Sequence, residues 1–348
     1  MRIAFIAPLW APVPPVQYGG IELILGLLCD GLIALGHDVT LFASGDCQTR
    51  AKVHATIPKN LGEMMGDATA YTSEYYTSAV LADALRRQDE FDIFHAHVPL
   101  AWMPLASLSR QPCLFTLHTS VHVDDLWALD RYRENPVAAI SEAQCAPIRQ
   151  QIRRELPVIH NGIDFDAYDA AFESGPYLAF LGRMSPEKNP LDAIRMAAAI
   201  DLPIVLAGIP QDHKEKRYFE EQVKPLIDGE RVRWLGLVDH PRKVELLRNA
   251  AALLFPIQWE EPFGLVIIES MACGTPVLAM NRGAVPEIIE PGVTGFTGTT
   301  VEELIELLPA TMALDRRQVR HCARLRFGCE QMMENYLALY RQLIEEKR

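Results

Sequence analysis

No stretch of the 348 residues stays apolar for the roughly 18 positions that a membrane-spanning helix needs. Positive charge is also scarce. The formal net charge of −12 argues against bulk nucleic-acid binding through a basic face, yet leaves room for a small anion in a local basic pocket. Cys29, Cys47, Cys113, Cys145, Cys273, Cys322 and Cys329 are odd in number and include no C-x-x-C pair. Buried, reduced thiols in a cytoplasmic protein are therefore expected, without disulfides or a zinc site. The opening "MRIAFIAPLWAPVPP" has Arg2 as its one basic residue and no small-residue cleavage site. It reads as a first strand in preference to a signal peptide. A G-x-G-x-x-G fingerprint is missing too, which removes the main support for a dinucleotide site.

What is present is an alternation of short apolar runs with helical patterns. Strands are expected at 2–8, 38–44, 91–97, 113–119, 136–141 and 156–162, and a helix at 21–37. The pattern then begins again, with strands at 177–182, 203–208, 232–237, 251–256 and 276–280. Apolar runs without polar alternation mark strands buried on both faces, hence parallel sheets. The length suits two domains. The expected class is α/β: two Rossmann-like, doubly wound parallel-sheet domains facing a cleft, with ligands beyond the carboxyl ends of the strands. The expected boundaries are 1–163 and 164–329, with a polar linker over 161–175 and a C-terminal helix within 330–348. That helix, amphipathic over 330–346, could cap the second domain or cross back to the first. Residues 45–90 read as loop-rich and polar, with Tyr71, Tyr75 and Tyr76 available either to stack on a sugar or to pack on their own domain.

Several residues fall at the expected strand ends. "YGGIE" (18–22) puts Gly19 and Gly20 at a helix N-terminus, where backbone can approach an anion, although a plain tight turn would look the same. "LGRMSPEKN" (181–189) places Arg183 and Lys188 in one loop, a pair suited to a diphosphate or, alternatively, a solvated surface pair. His118 ends a first-domain strand in "LHTSVH", where a structural role competes with a functional one. His95 and His97 share one strand face without a third ligand, so no metal site is expected. The D-x-D match at Asp164 and Asp166 lies in the linker and reads as solvated. In "QWEEPFGLVIIESMACGTP" (258–276), a loop carries Glu261 and a helix opens at Gly264. The free amides of Gly264 and Leu265 make an anion seat. Glu261 at the loop mouth can accept from the hydroxyls of a neutral group, and Glu269, farther down, from a vicinal diol by bidentate acceptance. A sugar, a diphosphate and a ribose in that order are a nucleotide sugar. An amphipathic helix with solvent-facing acids is the plainer alternative.

These motifs resemble the retaining glycosyltransferase family 4, of the GT-B fold, over essentially the whole chain. "GGIE", "NGID", "GRMSPEKN" and "EEPFGLVIIESMACGTPVLA" carry the likeness in order, the last as an E-x7-E element with Glu261 and Glu269 as its acids. The resemblance implies that Arg183 and Lys188 neutralise the leaving diphosphate. It implies that Glu261 bonds the donor hexose, Glu269 the ribose, and the Gly264 and Leu265 backbone the phosphate. Gly19 and Gly20 would lie near the diphosphate, Gly182 and Phe263 would belong to the donor-binding loops, His118 would touch the donor sugar and reaction centre, and Val238 would border the base. It also implies that the terminal helix returns to the N-terminal domain, and that this domain binds the acceptor.

The expected reaction is hexose transfer from a nucleotide-diphosphate sugar, with UDP-glucose as first choice on family frequency, to a hydroxyl of a sugar, glycolipid or small molecule. Neither a metal nor another cofactor is expected, because the cations meet the phosphate charge. A non-transferring epimerase of the same fold and a nucleotide-sugar-binding protein without turnover are the alternatives. The basic segment "DRRQVRHCARLRFG" (315–328) reads as a solvated helix face, with weak contact to anionic lipid as its second reading.

Overall fold

A computed structural model describes residues 1–16, 19–65 and 70–347. The chain divides into two compact units, residues 1–162 with 329–348 and residues 163–328.

In the first unit, strands β1 (Arg2–Ile6), β2 (Asp38–Ser44), β3 (Lys52–Ile57), β4 (Ile93–Ala96), β5 (Cys113–Leu117) and β6 (Val137–Ala139) form one parallel sheet. Its spatial order is β3-β2-β1-β4-β5-β6. β4 and β5 are buried along their whole length, which is why they read as apolar runs, whereas β3 at the sheet edge is largely exposed. The helix Gly20–Ala34 packs against the terminal helix Cys329–Lys347. That terminal helix buries Met332, Met333, Tyr336, Leu337 and Tyr340, a three-to-four-residue spacing that puts one apolar face on this unit. Tyr340 and Tyr336 carry their hydroxyls into the core, where they meet His95 at 2.6 Å and Thr116 at 3.0 Å.

The second unit repeats the plan with β7 (Tyr177–Leu181), β8 (Ile204–Ala207), β9 (Val232–Trp234), β10 (Ala250–Phe255), β11 (Val277–Met280) and β12 (Gly295–Gly298). All pairings are parallel, in the order β12-β11-β10-β7-β8-β9. Each sheet thus reverses direction of growth beside its first strand, between β1 and β4 in one unit and between β7 and β10 in the other. Such switch points open a crevice at the carboxyl ends of the strands.

Three local readings change. The expected strand at 156–162 shrinks to a bridge between Val158 and Ala139, because Pro157 has no N–H to give a ladder and the chain then leaves the sheet. The region 45–90 is not loop-rich: it holds β3, the helix Leu61–Met65 and the helix Ala70–Arg86. Val80, Leu81 and Ala84 on the last of these are buried in the core, and Tyr76 packs against it. Tyr75 is exposed, and the Tyr71 side chain lies outside the described residues. The stretch 161–175 is packed, with Phe165 and Tyr168 buried in the second unit. The basic segment is a helix, as expected, Arg316–Phe327, with Arg317, Arg324 and Arg326 exposed and its first arginine buried. Arg316 donates to the carbonyls of Ala171, Arg248 and Ala250 and to Thr275, which satisfies the charge inside the fold.

Candidate active site

The loops that leave β7 and β10 flank the switch point of the second unit, and they are tied together. Gln258 N donates to Glu187 O at 2.7 Å, and Asn189 Nδ2 donates to Pro256 O at 3.2 Å. Asn189 also caps the helix Pro190–Ala199, accepting from Asp192 N, so the first loop is anchored at its far end. Lys188 reaches from this loop to the other: its Nζ lies 2.6 Å from Glu261 Oε2 and 4.7 Å from the centre of the Trp259 ring. Trp259 Nε1 donates to the same carboxylate oxygen at 2.9 Å. A partly buried ammonium and a buried carboxylate would each be costly alone, and pairing allows both. Arg183, also on the β7 loop, directs Nη1 onto Glu215, which is itself buried at the start of the helix His213–Tyr218.

The helix Leu265–Ala272 begins at Gly264, whose φ of 94° puts it in the left-handed region that a side chain disfavours. No side chain caps this end, and Leu265 is only partly buried, so the first amides of the helix are open to an anion. Glu261 is held next to it. Its carbonyl accepts from Ala284 N at 2.8 Å, and a side chain at Gly283 would collide with the Glu261 backbone. About one turn along the helix, Glu269 is buried, with Oε1 bonded to Tyr168 Oη at 2.8 Å and paired with Lys243. The two acids are therefore built alike. Each has one oxygen fixed by a lysine and an aromatic donor, and among the described residues neither second oxygen has a protein partner. The bidentate acceptance expected of Glu269 narrows accordingly, since a diol is left with Oε2 alone.

The structure thus brings Lys188, Glu261, Gly264 and Gly182 together, with the Lys188 stem beside Gly182 and the Glu261 stem beside Gly264. It places Arg183 at the same loop but engaged by Glu215. Phe263 is buried, its ring edge-on to Phe327, and Val238 is buried just before Asp239, the cap of the helix His240–Arg248 that carries Lys243. Trp259, Glu215, Lys243 and Tyr168 were not singled out in the sequence. Trp259, two positions before Glu261, stood in the motif itself; the other three come from distant segments.

In the first unit, Gly19 precedes the helix Gly20–Ala34, with the Glu22 carboxylate so close that a side chain at Gly19 would collide with it. Burial raises the Glu22 pKa to about 7. His118 follows β5 and bonds His97 Nδ1 through its Nε2 at 2.7 Å, the two rings stacked. Burial lowers its pKa to about 4, so it is neutral near pH 7. Both nitrogens of His95 are engaged, by Tyr340 and Thr116. Among the described residues, no three His, Cys, Asp or Glu side chains gather as metal ligands would. Asp166 of the D-x-D match pairs with Arg324 on an exposed surface.

Residues 18–167 match the family described as Glycosyltransferase Family 4, and residues 165–319 the one described as Glycosyl transferases group 1. A D-inositol 3-phosphate glycosyltransferase of Mycobacterium sp. (strain KMS) is 28% identical, over 78% of this chain and 72% of its own. The crystal structure of AviGT4, a glycosyltransferase involved in avilamycin A biosynthesis, superposes with a TM-score of 0.74 at 26% identity, covering 99% of this chain and 98% of that one. Anabaena Alr3699/HepE in complex with UDP-glucose has the same fold, with a TM-score of 0.74 at 21% identity and coverage of 98% and 100%.

Proposed function

Because the chain belongs to glycosyltransferase family 4 and has the two-unit GT-B fold, we propose that it transfers a hexose from UDP-glucose to a hydroxyl acceptor, retaining the anomeric configuration and using no metal ion. One observation carries this reading: both cations and both acids of the E-x7-E arrangement stand at the loops and helix around the second unit's switch point. The HepE complex supports the choice of donor, and the named activity of the mycobacterial relative supports a hydroxyl acceptor.

Transfer from a nucleotide sugar develops negative charge on the departing diphosphate and positive charge at the anomeric carbon. Lys188 and Arg183 meet the first, aided by the open amides after Gly264. Glu215 and Glu261 hold and aim these cations, and each cation is then shared with phosphate oxygens. Preorganised charge of this kind favours the transition state over the ground state. Glu261 Oε2 is committed to Lys188 and Trp259, which makes this carboxylate a poor nucleophile. Its Oε1 accepts from sugar hydroxyls instead; the acceptor hydroxyl attacks on the face the nucleotide leaves, and its proton passes to the diphosphate oxygen as the bond from that oxygen to the anomeric carbon breaks. Glu269 Oε2 takes the ribose hydroxyls.

A coupled nucleotide-release assay with UDP-glucose and a panel of sugar and polyol acceptors tests the reading. Release should depend on acceptor and persist in EDTA, and the product should be the same anomer as the donor. Arg183→Ala or Lys188→Ala should each lower turnover on the order of a hundredfold, the loss of one well-aimed donor worth about 3 kcal/mol. Release of an epimerised donor without acceptor, or binding with no turnover against the whole panel, would overturn it.

A further inference from the structure

His97 is 2% exposed, and its Nε2 has no hydrogen-bond partner among the described residues. Phe5 packs near its ring at 5.8 Å between centroids and His95 at 4.1 Å, while Nδ1 lies 2.7 Å from His118 Nε2. His95 differs, since both of its nitrogens have hydroxyl partners.

The orphaned nitrogen decides where the protons are. Burial holds both His97 and His118 neutral near pH 7, so one N–H is available to each ring. A hydrogen bond between His97 Nδ1 and His118 Nε2 needs the proton on one of them. Were it on His118, the His97 proton would sit on Nε2 as a buried donor with nothing to receive it, and such orphaned donors are rarer than under-satisfied acceptors. The lower-cost arrangement puts the His97 proton on Nδ1, donating to His118 Nε2. The His118 proton is then on Nδ1, the nitrogen without a protein partner among the described residues.

We propose that His97 is a positioning residue that fixes the tautomer and ring plane of His118, so that His118 offers an Nδ1–H donor, and no basic nitrogen, to an oxygen of the bound sugar. The tautomer stands on the hydrogen-bond geometry and on the burial of both rings; the sugar contact rests on the transferase reading. His118 thereby serves as an orienting donor and not as a general base.

Nitrogen NMR on the ¹⁵N-histidine-labelled full chain tests the tautomer without any activity. His118 should show a protonated Nδ1 and an unprotonated, hydrogen-bonded Nε2 at pH 7, and His97 a protonated Nδ1. A proton on His118 Nε2 would overturn the proposal. In the UDP-glucose assay, His97→Leu should lower kcat on the order of a hundredfold through misplacement of His118, with KM for the donor changed little. His97→Asn, whose side-chain N–H can replace Nδ1–H, should recover most of it. A folded His97→Leu variant with unchanged kcat would also overturn the proposal. If the unaltered protein turns over no donor, the transferase reading fails while the NMR result still decides the tautomer.

Discussion

Glu22 shows what a single buried charge costs in this molecule. Its carboxyl, ordinarily near 4.5, is raised to about 7 by burial. The folded state therefore holds this proton more tightly than the unfolded chain does. Its contribution to stability is greatest below about pH 4.5, declines as the pH rises through about 7, and then levels off, with a total loss of about 3 kcal/mol. Glu22→Gln should thus stabilise the protein by about that amount in urea unfolding at pH 8, with little difference at pH 4. Equal gains at both pH values would refute the link to ionisation. At Gly283 the constraint is steric. Gly283→Ala must push the Glu261 backbone away from its position beside Lys188. A displacement of about 1 Å is enough to lower turnover on the order of a hundredfold, which steady-state kinetics would register while circular dichroism stays unchanged.

Among the elements, the helix Arg316–Phe327 is tied to the second unit by Arg316, Arg320 and Arg326, all of which donate to its backbone carbonyls. Arg316→Met would leave the carbonyls of Ala171, Arg248 and Ala250 without their donor. The expected cost is about 3 kcal/mol or more, seen as a lower urea midpoint. Strands of the two sheets were largely legible in the sequence because burial on both faces turns them into unbroken apolar runs. β12, flanked by Gly295 and Gly298, has no such run and was missed. The helix Ala70–Arg86 was missed because its polar face is wide and, among its described side chains, Val80, Leu81 and Ala84 with Tyr76 beside them carry it into the core. The E-x7-E acids and the cationic loop were legible from spacing. Their anchors were not, since Tyr168 meets Glu269 across 101 positions and Lys188 meets Glu261 across 73, distances that only the fold closes.

At the scale of the whole molecule, the chain is not two units in simple succession, since residues 329–348 belong with residues 1–162. A chain ending at Gly328 would deprive His95 and Thr116 of the Tyr340 and Tyr336 hydroxyls and expose the face that Met333 and Tyr336 cover. It should lose the cooperative unfolding of the first unit, which calorimetry would show as the loss of one transition. The central claim is that Arg183 and Lys188 in the second unit receive the diphosphate of a nucleotide sugar. Calorimetric titration of UDP and UMP into the protein and its Arg183→Ala/Lys188→Ala variant tests it most directly. The account predicts that the unaltered protein binds UDP much more tightly than UMP and that the double variant loses this preference while still binding UMP. Undiminished preference for UDP in the double variant would contradict it.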